Sequence, residues 1–361
     1  MNDRLLIITV GIIYLNGCST TSPDNSSGPT GEGWMFEQVA TGVSVGIHSS
    51  LTVTSDSRVH MAFHDNINKK LHYAERTTEG GWTIVKLDSL GWKGLGVTIE
   101  AGPGDTRHMA YQDMWLDDLR YARCDGNSWE YESIEPLTSQ GVSPVILVKE
   151  VDIHIAEICG SHIHYRYGSL NNWSMTRNPP SGGAPCQIDM AIGPAGPVIA
   201  VAFNVTIGTQ YAKTEYGVVL VKTDSTSSLG WDYQRIVDGC QEPTNVAIAY
   251  DGVGILHLLY TDNDGVLHDE AGSVVDQNIQ AGTLQIDMSQ DGSLWVFYAI
   301  NGGLAVSQYV PGGAWQRVTT IQNVNPDGKW DLHVCSDGLL HVSFYDRSRH
   351  ELWYARWDGV N

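Results

Sequence analysis

A repeated segment constrains the fold of this chain more than any other feature of its sequence. Each copy contains the pattern His-x-x-(Phe or Tyr)-x-Asp, then Leu-x-Tyr-Ala, then a Trp. Copies begin at His60, His108 and His154, with spacings of 48 and 46 residues, and another clear copy begins at His341. A repeat of this length, built on alternating strands and turns, indicates an array of small sheets that each form the same structure.

The number of copies and the two chain ends predict how this array is arranged. Weaker copies around Ala200, His257 and Trp295 bring the number of repeats to seven, and strand-only units of this size are typical of propeller blades. The last copy ends before an outer strand, whereas the segment that begins at Trp34 resembles one. The sequence therefore predicts an all-β fold: a seven-bladed β-propeller of four-stranded blades over residues 34–361, closed by an N-terminal strand that completes the last blade.

The first 33 residues have the composition of a targeting segment and a linker. Residues 1–17 contain an apolar run too short to span a bilayer, and the segment from Leu15 to Cys18 resembles the lipobox of bacterial lipoproteins. This resemblance implies a signal peptide over 1–17, lipidation of Cys18, a flexible tether over 18–33, and a lipid-anchored protein of the bacterial cell envelope. Ser19 favours the outer membrane or the cell surface. An ordinary secretory signal with an incidental cysteine is the alternative.

The net charge narrows the possible binding partners, and the cysteine content narrows the possible disulfides. The formal net charge of −20 opposes binding to nucleic acid and direct contact with anionic lipid, so we expect a monomer that meets the membrane only through its lipid anchor. Five further cysteines lie in an oxidising compartment. We expect a disulfide between Cys186 and either Cys159 or Cys240, and buried thiols are the alternative. Sequence does not fix the connectivity of the five cysteines, of which Cys124 and Cys335 are the other two.

Residues that follow the second strands are the best candidates for a ligand site. In a propeller the turns after these strands lie on one face, called the top face here, together with the loops between blades. Aromatic planes pack against sugar C–H groups, and polar side chains bind hydroxyls, so we expect a noncatalytic site for a glycan or a protein partner. The candidate ligand-binding residues are His64, Asp65, Trp92, Lys93, Asp113, Trp115, Asp346 and His350.

The repeat resembles the sialidase-like, or BNR-type, propeller repeats of many bacterial surface proteins. The resemblance covers residues 34–361 and implies the fold, but the Asp boxes and the Arg-Ile-Pro segment of true sialidases are missing. The alternative function is a carbohydrate-active enzyme, such as a polysaccharide lyase or a glycoside hydrolase. Its catalytic candidates are His64, His350, Arg347 and Arg349, since a lyase needs a base and a cation that faces the carboxylate.

Two further sets of polar residues recur at equivalent positions of the repeat. The histidines that begin the second strands, His60, His108, His154, His257 and His341, are predicted to form hydrogen bonds within the scaffold. Glu100, Asp189, Asp287 and His333 occupy corresponding places on the innermost strands and are weak candidates for binding Ca²⁺. Bound water or backbone donors explain these carboxylates equally well. No loop has the acidic spacing of a dedicated calcium site, so no cofactor is expected.

Overall fold

The computed structural model describes residues 28–87, 93–116, 118–126, 128–136, 141–175, 179, 183–207, 213–223, 230–238, 245–280 and 282–359. The predicted signal peptide, Cys18 and most of the tether lie outside these ranges, as do Trp92 and Cys240. No helix within them is long and apolar enough to cross a membrane. Helical structure there is limited to one 3₁₀ turn, Pro103–Asp105.

The described residues form twenty-eight β-strands. The first thirteen are β1 (Trp34–Thr41), β2 (Val45–Val53), β3 (Val59–Asp65), β4 (Lys70–Arg76), β5 (Trp82–Lys86), β6 (Lys93–Gly102), β7 (Thr106–Asp113), β8 (Asp118–Cys124), β9 (Trp129–Pro136), β10 (Gly141–Lys149), β11 (Asp152–Cys159), β12 (His162–Ser169) and β13 (Asn172–Met175). The others are β14 (Ala184–Gly193), β15 (Gly196–Ile207), β16 (Lys213–Thr223), β17 (Trp231–Asp238), β18 (Asn245–Tyr250), β19 (Leu256–Thr261), β20 (Val266–Asp269), β21 (Val274–Gln277), β22 (Gln285–Met288), β23 (Leu294–Ile300), β24 (Gly303–Tyr309), β25 (Gln316–Gln322), β26 (Pro326–Val334), β27 (Leu340–Asp346) and β28 (Glu351–Trp357).

These strands form antiparallel sheets of four strands in chain order, as predicted. Five sheets contain β6–β9, β10–β13, β14–β17, β18–β21 and β22–β25. The remaining eight strands share one sheet, in which a single parallel bridge between His48 and Lys329 joins β2–β5 to β26, β27, β28 and β1. The first strands of successive sheets contact one another along the chain, and β26 contacts β2.

The first strand of the chain pairs with the last, which confirms the predicted exchange of an N-terminal strand. β1 lies antiparallel to β28, with Trp34 opposite Trp357 and Thr41 opposite Glu351. The two indole rings lie 6.3 Å apart, and Trp34 Nε1 donates a hydrogen bond to Thr319 Oγ1 at 3.0 Å. Because β1 covers the edge of β28, the outermost backbone groups of that strand are paired.

The repeated histidine and tyrosine form the same hydrogen bond in four sheets. Nδ1 of the histidine lies 2.6 to 2.7 Å from the tyrosine hydroxyl in each of the pairs His60–Tyr73, His108–Tyr121, His154–Tyr165 and His341–Tyr354. The predicted scaffold role of these histidines is therefore confirmed. In β19, where no tyrosine follows, His257 Nε2 instead contacts Asp251 Oδ2 at 3.1 Å.

The tyrosine of each pair also contacts a tryptophan: in three pairs it lies in the next sheet along the chain, and for Tyr354 of β28 it is Trp82 of β5. The edge of an outer-strand tryptophan packs against the tyrosine ring, with centroids 5.1 to 5.3 Å apart, in the pairs Tyr354–Trp82, Tyr73–Trp129, Tyr121–Trp173 and Tyr165–Trp231. Edge-to-face pairs of this kind stabilise beyond the area that they bury. The repeated tryptophan thus packs one sheet against its neighbour.

Candidate functional site

The aspartates that end the second strands form the turns of the top face. Asp65 Oδ1 accepts hydrogen bonds from the backbone N–H groups of Ile67 and Asn68. Asp113 Oδ1 does the same for Trp115 and Leu116. Asp346 Oδ1 accepts from the backbone N–H and the hydroxyl of Ser348. All three aspartates are buried, so the structure gives their carboxylates a turn-forming role, and ligand binding by them stays a prediction.

His64 lies inside the protein rather than on the top face. Its side chain is fully buried, and neither ring nitrogen has a hydrogen-bond partner. Burial lowers the pKa of His64 to about 4, and the nearby His48 and Lys69 add to this effect. Its imidazole is therefore neutral at pH 7 and out of reach of a polymer on the surface.

The other three catalytic candidates lie in or beside the turn between β27 and β28. Arg349 pairs with the buried Asp346 and donates a second hydrogen bond to the carbonyl of Asn323. Arg347 is exposed and lies 3.7 Å from Asp327. His350 has a positive φ of 58° and lies 3.2 Å from the hydroxyl of Tyr345. His350 and the two arginines are thus neighbours in one turn, whereas His64 is separated from it by burial.

Trp115 is the one exposed tryptophan of the described residues. It lies in the turn between β7 and β8, and 76% of its surface is accessible. Leu116 beside it is also exposed, while the other described tryptophans are buried or half-buried. Its backbone N–H is held by Asp113, so the indole projects from a fixed turn. Of the predicted aromatic ligand-binding residues, Trp115 has the surface exposure that stacking on a ligand requires.

Two buried side chains in β7 and β11 have polar atoms without hydrogen-bond partners. Gln112, three residues before Trp115, is buried, and neither its amide oxygen nor its amide nitrogen has a hydrogen-bond partner. Glu157 in β11 is 2% exposed, and its Oε1 also has no partner. His164 lies opposite Glu157 on β12, with Nδ1 3.9 Å from Oε1, which is too long for a hydrogen bond. Burial, and then the charge of Asp118, raise the pKa of Glu157 to about 8.

Gln112 and Glu157 belong to one interface between two sheets. Ala110, two residues before Gln112, packs against Ile155 and Cys159, which flank Glu157 on the same face of β11. Alternate residues of a strand share a face, so Gln112 and Glu157 lie on the two surfaces that pack together. We call Trp115, Gln112, Glu157 and His164 the Trp115 corner. Of its members, only Trp115 belongs to the predicted ligand-binding set.

The weak metal candidates line the innermost strands, where two of them hold neighbouring sheets together. Asp189 Oδ2 accepts a hydrogen bond from Ile248 N at 2.8 Å, and Asp287 Oδ2 accepts one from Val334 N at 2.7 Å. Asp331, which the sequence analysis missed, does the same for Leu51 N at 2.9 Å. Within the described ranges no three His, Cys, Asp or Glu side chains form a group able to hold a metal ion. Backbone donors thus account for Asp189 and Asp287.

Burial dominates the electrostatics of these inner-strand carboxylates. It raises the pKa of Glu100 well above its ordinary value, with the charges of Asp287 and Asp331 adding to the effect. The pKa of Asp189 rises to about 6 for the same reason, although its hydrogen bonds from backbone N–H groups oppose the shift.

The cysteine prediction is tested in part by the structure. Cys124 and Cys335 carry free thiols, and Cys124 Sγ donates a hydrogen bond to the carbonyl of Gly126 at 3.0 Å. Burial raises the pKa of Cys335 to about 12, so its thiol is protonated at neutral pH. The pairing of Cys186 stays a prediction, because Cys240 lies outside the described residues.

Comparison with known proteins establishes the fold. No family model matches the chain, and no curated protein matches it in sequence. Among solved structures the chain is similar to the polysaccharide lyase Uly1, with 11% identity over 86% of this chain and 90% of that chain and a TM-score of 0.57.

Two further structures have comparable likeness. An α-L-arabinofuranosidase from Fusarium graminearum gives 11% identity over 89% of this chain and 96% of that chain, with a TM-score of 0.51. AofleA from Arthrobotrys oligospora gives 12% identity over 82% and 90%, with a TM-score of 0.52. The structural neighbours are β-propeller proteins. The chain is accordingly an all-β protein of the propeller class, and likeness at this level of identity carries the fold alone.

Proposed function

We propose that this chain is a noncatalytic, glycan-binding propeller that takes its ligand on the top face at the Trp115 corner. One observation carries the proposal: the Trp115 indole is 76% exposed on a turn whose backbone is held by Asp113. An exposed aromatic plane on a fixed turn is suited to packing against the C–H face of a sugar ring. Two of the similar propellers, a polysaccharide lyase and an arabinofuranosidase, have carbohydrate-related names, which supports this choice of ligand.

The positions of the catalytic candidates support binding without turnover. General acid–base catalysis needs a group within hydrogen-bond reach of the substrate. His64 is fully buried, and Arg349 is engaged by Asp346. His350 and Arg347 remain at the surface, and they are the residues on which the alternative, a polysaccharide lyase, would have to depend.

We further propose that the sheets form a closed ring of seven sialidase-like blades. The contacts between first strands in chain order, together with the contact of β26 with β2, support this count. So does the division of the eight-stranded sheet at the single His48–Lys329 bridge. A different number of blades would change which turns lie on the top face together with that of Trp115.

We also propose a lipid anchor at Cys18 that holds the propeller in the bacterial outer membrane or at the cell surface. The short apolar run before Cys18 and the polar segment after it support this location. Cys18→Ser is expected to move the full-length protein from the membrane fraction to the soluble fraction. A variant that stays in the membrane fraction would contradict the anchor.

A binding assay with a matched pair of aromatic variants tests the main proposal. The chain with Cys18→Ser is applied to a glycan array, and Trp115→Ala is expected to weaken binding by about 10-fold to 100-fold, since one stacked aromatic contributes about 1–3 kcal/mol. The control is Tyr131→Ala, which removes an exposed ring from β9 of the same sheet. If Trp115→Ala and Tyr131→Ala bind the glycan equally well, the proposed site is wrong. Release of unsaturated uronates, measured by absorbance, would favour the polysaccharide lyase.

A further inference from the structure

The segment before β1 enters the structure at the top face. Asn323, in the loop between β25 and β26, donates a hydrogen bond from Nδ2 to the carbonyl of Gly28 at 2.8 Å. Two residues after Gly28, Thr30 exchanges two backbone hydrogen bonds with Gln322, the last residue of β25. Loops that join one blade to the next lie on the top face, so Gly28 is held at that face.

Segment 28–33 then runs down the outside of a sheet before the chain turns into β1. Its pairing with β25 is antiparallel, and β25 ends at the top face, so the segment leads towards the opposite, or bottom, face. A turn follows in which Trp34 N donates a hydrogen bond to the carbonyl of Gly31 at 3.3 Å. β1 afterwards returns to the top face, where Thr41 lies opposite Glu351. The chain that precedes this segment therefore leaves the propeller from the top face.

The point of exit is fixed to a turn of the top face. Arg349, in the turn between β27 and β28, donates a hydrogen bond from Nη1 to the carbonyl of Asn323 at 2.8 Å and pairs with the buried Asp346. Asn323 in turn donates to Gly28, so one loop residue connects the exit point to the turn. Moving the exit to the bottom face would break these hydrogen bonds.

The length of chain between Cys18 and Gly28 limits how an anchored propeller is oriented. Residues 19–27 connect the two, and a chain of this length spans about 36 Å when it is fully extended. For the bottom face to meet the membrane, the chain would first have to pass the height of a sheet, which is about 20 Å for a strand as long as β28. That orientation needs almost full extension, which costs conformational entropy, whereas the top face reaches the membrane without it.

We propose that the anchor holds the top face towards the membrane, so that the Trp115 turn binds the glycan headgroup of a lipid in the same membrane. This inference rests on the proposed glycan-binding function and on the proposed anchor at Cys18. The turns after β7 and β3 present apolar side chains to that membrane: Trp115, Leu116 and Ile67 are 76%, 55% and 62% exposed. Exposed tryptophan and aliphatic side chains suit the boundary between sugar rings and lipid headgroups.

Antibody access to inserted epitopes tests the orientation without a glycan. A short peptide epitope is inserted after Ile67 in a top-face turn or, as the matched control, after Val253 in the bottom-face turn between β18 and β19, where the side chain is also exposed. The lipidated proteins on phosphatidylethanolamine vesicles are compared with their Cys18→Ser forms in solution. Antibody affinity for the top epitope should fall at least about 10-fold on vesicles, and that for the bottom epitope should not change.

A longer tether provides the second control. A Gly/Ser spacer of about 30 residues, inserted after Ser27, adds an r.m.s. length of about 30 Å and should restore antibody binding to the top epitope. Equal access to both epitopes on vesicles, or loss of access to the bottom epitope alone, overturns the orientation. The Cys18→Ser forms report whether each insertion leaves its epitope readable.

A comparison of two forms of one sugar tests the source of the glycan. The oligosaccharide that binds most tightly on the array is coupled either to a vesicle phospholipid or to a large soluble polymer, and binding is measured as protection of Trp115 from chemical oxidation. The anchored protein should need at least about 100-fold less of the lipid-coupled form, because confinement to one membrane raises the effective concentration. The Cys18→Ser protein should be protected by the polymer-coupled form as well.

The outcomes separate this inference from the proposals beneath it. If the polymer-coupled form protects the anchored protein as well as the lipid-coupled form does, the lipid-borne ligand is wrong and glycan binding stands. If no glycan binds the Cys18→Ser protein, the proposed function fails. If the protein with Cys18 does not float with vesicles, the anchor is wrong, and the membrane-facing orientation is wrong with it.

Discussion

The Nδ1 atom of His108 lies 2.7 Å from the hydroxyl of Tyr121, inside a sheet interface where burial lowers the pKa of His108 to about 4. In the unfolded chain this imidazole titrates near pH 6.5. Between pH 6.5 and 4 the unfolded state therefore binds a proton that the folded state does not, and acidification removes stability in that window.

The variant His108→Gln tests this linkage. At pH 7 it should be less stable than the parent, since the hydrogen bond to Tyr121 is weakened. On acidification to pH 4 the gap in unfolding free energy should shrink by about 3 kcal/mol, because the glutamine cannot be protonated. Urea unfolding at both pH values measures the gap. A gap that stays constant between the two pH values would contradict the linkage.

Trp129→Ala should loosen the contact between two sheets. The indole packs edge-on against Tyr73 at 5.1 Å, and its loss should lower the free energy of unfolding by about 3 kcal/mol, as for other large aromatic truncations. Tyr131→Ala, two residues along the same strand and exposed, should cost less than about 1 kcal/mol. Denaturant unfolding with both variants separates interface packing from strand propensity, and equal losses would refute the interface role.

Trp34→Ala should destabilise the pairing of the first and last strands. The ring is buried against Trp357 and bonded to Thr319, so truncation should cost about 3–5 kcal/mol. Met35→Ala on the same strand removes an exposed side chain and should have little effect. Release of β1 would also expose the edge of β28, so we expect Trp34→Ala to aggregate in a concentration-dependent manner, as measured by light scattering. A monodisperse and stable variant would argue against the closing role of β1.

Asp331→Ala should weaken the junction between the first and last sheets. Asp331 Oδ2 accepts hydrogen bonds from Ser50 Oγ at 2.6 Å and Leu51 N at 2.9 Å, and removing the carboxylate leaves both donors unpartnered. The expected loss is about 3 kcal/mol. Asp337→Ala removes an exposed carboxylate that accepts one bond from Leu339 N and should cost less than about 1 kcal/mol. Similar thermal shifts for both would show that the junction does not depend on Asp331.

The fold could be predicted from the sequence because the same strand pattern recurs in every repeat. The recurrence of His60 at equivalent positions predicted a hydrogen-bonding role within the scaffold, and the strand-like segment at Trp34 predicted the strand that completes the last blade. Each element repeats the same alternation, so an error at one copy is corrected by the others. The sequence pattern gave no register for the sheet that contains His257, where carboxylates replace the tyrosine.

The site was harder to predict from sequence, because the position of a residue along a strand does not determine whether its side chain is exposed at the strand end. His64 and Asp113 were both predicted at the surface and are both buried: the imidazole has no hydrogen-bond partner, and the carboxylate accepts hydrogen bonds from the backbone of its own turn. Glu157 was not among the candidate ligand-binding residues. The informative signal was its departure from the aromatic position of the repeat, since a carboxyl in a slot that elsewhere holds a buried ring marks a place where packing has been exchanged for polarity.

The pairing of Trp34 with Trp357 makes the order of synthesis matter. A ribosome emits β1 long before β28, so the sheet that joins them is incomplete until β28 has been synthesised. During that interval β1 is an unpartnered strand, which a chaperone must shield or another chain can capture. Folding of this protein is therefore coupled to synthesis of β28, and a chain truncated before β28 would leave β1 and the edge of β27 unpaired.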